Sequence, residues 1–165
     1  MFGSKKESEP LAPFNLKVLT AQHVIEGTAA GDKRLMFGNS GTMVEVELSS
    51  VTITCIDLRQ PVPRTCDRFV VNTEYAAVLV PDVDPARLSD WESYKCCTTP
   101  YKGTFYIGPY VVSGSLMVDA RGYVHDILVG VDLHVSSVLE GPECAQYDAP
   151  FAVVSPRAVA GWEAE

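Results

Sequence analysis

The residues with the most chemical potential lie in the second half of the chain: His125, Asp132, His134 and Cys144. In a strand, residues two apart share a face, so Asp132 and His134 can stand side by side. With a third ligand such as Cys144, and His125-Asp126 nearby, they would form a mixed donor set for a metal ion. A solvated strand face carrying an ion pair accounts for the same residues, and no H-E-x-x-H or C-x-x-C spacing is present. No G-x-S-x-G elbow, P-loop or dinucleotide-binding glycine pattern occurs. Gly38-Asn39-Ser40-Gly41 lacks a following basic residue to hold a phosphate and reads as a hairpin loop. Asp82, Asp84 and Asp90 lack the glycine and terminal glutamate of a calcium loop, and Pro85 interrupts them. No catalytic residue, cofactor or metal is therefore assigned, and the expectation is a protein that is not an enzyme.

A second group is aromatic. Trp91, Tyr94, Tyr101, Phe105, Tyr106 and Tyr110 gather near the middle of the chain. They are the candidate interaction residues, as the lining of a groove for a peptide or small ligand. The competing reading is packing that joins two lobes. The five cysteines, Cys55, Cys66, Cys96, Cys97 and Cys144, are odd in number, which argues against a disulfide framework. Adjacent cysteines rarely bridge each other, so Cys96 and Cys97 read as free thiols, or alternatively as a redox-responsive pair.

These residues must be positioned by sheets. Apolar residues make up 47% of the 165, charged residues 21%, and Val, Thr, Tyr and Phe are frequent. Alternation predicts a strand, a kink and a second strand over Leu16 to Thr28. A long strand over Met43 to Leu58 changes phase at Ser49-Ser50, the mark of a bulge or bend. Shorter strands follow over Arg68 to Thr73 and Ala76 to Val80, and the segment Ser89-Asp90-Trp91-Glu92 has the form of a helix capping box.

The second half resembles the first in order. His23-Val24-Ile25-Glu26-Gly27-Thr28 matches Tyr110-Val111-Val112-Ser113-Gly114-Ser115, and Val46-Glu47-Leu48 matches Val131-Asp132-Leu133. Arg68-Phe69-Val70-Val71 then matches Pro150-Phe151-Ala152-Val153, and Ala77-Val78 matches Ala158-Val159. An internal duplication follows, with small loop deletions. The expected layout is a flexible tail over 1–13, a first β unit over 14–82, a linker with a short helix over 83–102, and a second β unit over 103–165.

In each unit a strand runs into Gly27-Thr28 or Gly114-Ser115, and a long bent strand follows. This order resembles the Sm-like and SH3-type small β-barrels. The resemblance implies an all-β protein of two tandem small barrels and a tendency to self-association. It does not extend to the RNA-binding loops of Sm-like proteins: Asn72-Thr73-Glu74 and Ser155-Pro156-Arg157 stand where an Arg-Gly pair is expected, and Arg121-Gly122 lies elsewhere.

Charge sets further bounds. The net charge is −8 with 13 basic residues, so generic nucleic-acid binding is disfavoured. The nearest approach to a basic patch is Lys33, Arg34, Arg59, Arg64 and Arg68. No run approaches the roughly 20 apolar residues of a membrane span, and Met1 to Pro10 has no apolar signal core. A cytoplasmic location and no membrane insertion are expected. The function expected is structural or adaptor-like, with the chain itself or another protein as partner. The alternative is a small-ligand or metal-binding module with its site between the halves.

Overall fold

In the computed structural model, the described residues are 12–30, 45–56, 62–87, 91–119, 128–137 and 146–164. They form β1 (Phe14–Thr20), β2 (His23–Ala29), β3 (Glu45–Cys55), β4 (Arg64–Asn72) and β5 (Ala76–Pro81). A helix, α1 (Trp91–Cys97), precedes β6 (Thr98–Ile107), β7 (Tyr110–Asp119), β8 (Leu128–Ser137), β9 (Gln146–Val154) and β10 (Val159–Ala164). The protein is all-β, as its Val-rich alternation predicts. No helix among the described residues is long and apolar enough to cross a membrane.

The ten strands form one antiparallel sheet in the order β10-β6-β7-β8-β9-β5-β1-β2-β3-β4. This corrects the expectation of two closed barrels: the sheet is open. The physical reason lies at its centre. Closing the first five strands would require β5 to pair with β4. Instead β5 pairs with β9, Val78 opposite Val154 and Leu79 opposite Val153, and the Ser155 N–H donates to the Ala77 carbonyl at 3.0 Å. The strand that would close one barrel is used to join the halves.

That joint explains an otherwise odd feature of the sequence. β5 and the end of β9 are nearly continuous apolar runs, Ala76-Ala77-Val78-Leu79 and Phe151-Ala152-Val153-Val154, and all eight residues are buried. Such runs belong to strands covered on both faces. One core takes Ala76, Leu79, Phe151 and Val153 together with Leu16, Val18, Leu48, Val51 and Trp91. The other takes Ala77, Val78, Ala152 and Val154 together with Phe105, Tyr110, Val112, Leu116 and Leu133. Tyr110 is fully buried and its hydroxyl donates to the Thr20 carbonyl at 2.9 Å, a further tie across the midline.

Local irregularities recur in the two halves. The β2–β3 ladder shifts register at Gly27, between Glu26 and Thr28, and the β7–β8 ladder shifts at Gly114, between Ser113 and Ser115. The strand facing each glycine carries a residue with positive φ, Ser50 at 53° and Asp132 at 52°. Ser49-Ser50-Val51 lies across from Gly27 as Val131-Asp132-Leu133 lies across from Gly114, three residues from the match read in the sequence. A 3-10 turn follows β4 (Thr73–Tyr75) and another follows β9 (Pro156–Ala158). The last strand of each half then slips by one residue against the first, skipping Ala77 in one ladder and Ala160 in the other.

Gly114 shows why the crossing is so tight. It has φ +143°, and a methyl group there would meet the Asp132 carbonyl oxygen at 2.5 Å. At Gly27 the nearest atoms would lie at 3.1 Å. Gly114→Ala should therefore lower unfolding free energy by about 2 kcal/mol or more, from clash and backbone strain together. Gly27→Ala should cost less. Equilibrium denaturation of the two variants checks the order.

Candidate functional site

Between the halves lies an open cleft of about 470 Å³. Its floor is formed by β1, β2 and the β3 bulge, with Lys17, Glu26 and Ser50; the end of β5 and the start of β9 supply Asp82 and Tyr147. Lys17 and Glu26 are cross-strand neighbours, so their side chains meet on one face at 2.8 Å. The Lys17 ammonium also sits 4.3 Å from the centre of the Tyr147 ring, a cation–π contact that ties the first half to β9. The Tyr147 hydroxyl is buried and has no hydrogen-bond partner among the described residues. Burial pushes its ionisation well above the ordinary tyrosine range, and the nearby Tyr110 and Glu26 add to the effect. The cleft therefore holds an engaged cation, an uncharged phenol and flanking carboxylates.

The metal candidates fall out differently. His125 and Cys144 lie outside the described residues. Asp132 sits in the left-handed conformation within the β8 bulge, so the simple two-residue alternation with His134 is interrupted there. His134 instead faces Asp148 directly across the β8–β9 ladder, with Nδ1 and Oδ1 2.8 Å apart on an exposed surface. Asp148 was not singled out because cross-strand neighbours have no fixed sequence spacing. Among the described residues, no three His, Cys, Asp or Glu side chains stand close enough together to hold a metal ion.

The aromatic residues divide between core and surface. Trp91 is buried and meets Phe151 edge-on, with ring centres 5.6 Å apart. Phe105 and Tyr110 are buried, and Tyr101 is half-buried with its ring 6.3 Å from that of Phe105. The side chain of Tyr94 lies outside the described residues. Tyr106 is exposed, and its hydroxyl donates to Glu163 Oε1 at 2.9 Å, linking β6 to β10. Trp91, Phe105 and Tyr110 are thus core side chains, Trp91 in one core and Phe105 and Tyr110 in the other.

Of the basic residues read as a patch, Lys33, Arg34 and Arg59 lie outside the described residues. Arg68 grips Glu47 through two of its nitrogens, one at 2.6 Å, pinning β4 to β3. That bond holds the Glu47 carboxyl below its ordinary range. Cys96 and Cys97 are exposed free thiols on α1.

The most unusual surface lies at the two ends of the sheet. Both end strands of the sheet, β4 and β10, lack a further partner strand among the described residues. Among the described residues, the exposed large apolar ones are Val62, Val70, Tyr75, Tyr106 and Trp162. Val70 lies on β4 and Trp162 on β10, with Tyr75 and Tyr106 on the adjoining turn and strand. Natural sheets usually blunt their edges with charge, proline or cover. No family model, curated protein or solved structure matches this chain.

The unpartnered phenol gives a direct test of the cleft. Tyr147→Phe removes a buried hydroxyl that makes no hydrogen bond, so stability should stay level or rise by about 1 kcal/mol. Tyrosine in the unfolded chain ionises near pH 10, whereas folded Tyr147 holds its proton to higher pH. The native chain should therefore lose stability as pH rises above that range, and Tyr147→Phe should lose less. Denaturation curves at pH 8 and at alkaline pH measure both effects.

Proposed function

We propose that this protein is a non-catalytic assembly module, built from two diverged copies of one five-stranded unit, that joins other chains by strand addition at its open edges. The observation that carries the proposal is the pair of end strands that have no further partner strand among the described residues and bear Val70 and Trp162, 52% and 62% exposed. A free edge offers a row of backbone donors and acceptors, and apolar side chains beside it add burial on pairing.

The duplication is supported by the recurring irregularities: the glycine crossings at Gly27 and Gly114, the positive φ at Ser50 and Asp132, and the 3-10 turns before β5 and β10. In each set of five strands the last lies beside the first: β5 beside β1, β10 beside β6. The bent strands β3 and β8, crossed by Gly27-Thr28 and Gly114-Ser115, support the likeness of each unit to Sm-like and SH3-type folds. The net charge of −8 favours a protein partner over a nucleic acid.

A second reading places a small ligand in the cleft between the halves. It is favoured by the cleft itself, which lies between the halves and is lined by Lys17, Glu26, Asp82 and Asp148.

Native mass spectrometry of protein purified gently from its own cells separates the two. The assembly reading predicts a discrete homo-oligomer or a complex with another protein, with no stoichiometric small adduct. A monomer carrying one small molecule or metal ion per chain would overturn it in favour of the cleft.

A further inference from the structure

We infer that the partner at these edges is a second copy of this chain, joined head to tail: the end of β4 in one copy pairs antiparallel with β10 of the next. The inference rests on the strand-addition reading and names its partner.

The template is the joint inside the chain. There β9, the fourth strand of its set, pairs through its last residues with β5, the fifth strand of the other set. The two strands left at the ends of the sheet are the remaining fourth strand, β4, and the remaining fifth strand, β10. Each copy therefore presents one edge of each kind used in the internal joint.

The ladders fix the correspondence residue by residue. Counted from the 3-10 turns, Val70 occupies in β4 the place of Val153 in β9, and Trp162 occupies in β10 the place of Leu79 in β5. Val153 and Leu79 face each other at the internal joint, only 6% and 8% exposed. Tyr106 likewise stands in β6 where the fully buried Leu19 stands in β1. Three of the exposed large apolar residues among the described residues thus match residues buried at the internal joint or beside it. Repeating that joint between copies sets Val70 opposite Trp162, and Val71 opposite Gly161.

Charge is distributed to suit. Arg64, Asp67 and Arg68 occupy the first part of β4, whereas Phe69-Val70-Val71 at its end is free of charge. The internal joint uses only the corresponding end of β9, Val153 and Val154. Charges guard the stretch of the edge that the joint does not need. Because the two edges differ, the contact is heterologous, and repeated addition closes a ring or runs on as a filament according to the rotation per copy.

The test uses variants that each block one edge. Val70→Asp spoils the β4 edge and leaves β10 intact, and Trp162→Asp does the reverse. Both side chains are exposed in the single chain, so the fold should survive, as circular dichroism and melting would verify. Light scattering with size exclusion should find the unaltered chain associated, as a closed ring of two or more copies or as a filament, and each variant monomeric. An equimolar mixture of the two variants should form a one-to-one dimer, since one intact β4 edge and one intact β10 edge remain. If an aspartate variant melts, Val70→Thr and Trp162→Thr carry the same test, each weakening association at least tenfold.

A dimer formed by either variant alone would mean like-with-like pairing and would overturn the inference while leaving strand addition in place. So would an unaltered chain that is monomeric alone but engages a different protein through β4 or β10. An unaltered chain that is monomeric at submillimolar concentration, with no partner at either edge, would overturn both readings.

Discussion

The pairing of β5 with β9 is the contact on which the rest of this structure depends. It is short, with two opposed residue pairs and the Ser155 to Ala77 hydrogen bond. Yet it turns two five-stranded sets into one sheet and places its strands between two cores. Val78 and Val154 are fully buried toward one core while Leu79 and Val153 are buried toward the other. Fully burying one such side chain contributes roughly 1.5–3 kcal/mol. The joint is therefore stabilised mainly by the apolar packing on its two faces. A sheet of a few strands, alone in water, would leave one of those faces wet.

The same joint determines what the surface can do. Using β5 and β9 to connect the halves leaves β4 and β10 as the two ends. In a closed barrel neither would exist as an edge, because closure removes edges altogether. The exposed residues Val70 and Trp162 lie on these end strands, whereas Val153 and Leu79 at the internal joint are buried. The bidentate contact of Arg68 with Glu47 links β4 to β3 on the exposed surface. The cleft holding Tyr147 is a by-product of the same geometry, formed where β9 passes over the hairpin of β1 and β2.

Much of this was legible in the sequence. Alternation marked strands in the first half of the chain, and the phase change at Ser49-Ser50 marked the bulge where Ser50 takes a positive φ. The repeated Gly27-Thr28 and Gly114-Ser115 turns marked the strand crossings. What was not legible is long-range pairing. The two barrels expected from the resemblance gave way to an open sheet because no local pattern states that β5 will pair with β9 in place of β4. The continuous apolar runs of those strands record burial on both faces, but not by which neighbour. Trp91, Phe105 and Tyr110 are close in sequence, yet Trp91 is buried in one core and Phe105 and Tyr110 in the other, a division that no local pattern states. His134 found Asp148 in place of Asp132 because a ladder partner lies where the register puts it.

Amide hydrogen exchange at the two sheet ends tests the central claim most directly, with peptides covering Val70 and Val71 on β4 and Gly161 and Trp162 on β10 followed over a series of protein concentrations. Pairing between copies predicts that protection rises at both edges together as concentration increases, while the internal joint at Val78 and Val154 stays protected throughout. Fast exchange at both edges, unchanged across the whole concentration range, would contradict the account.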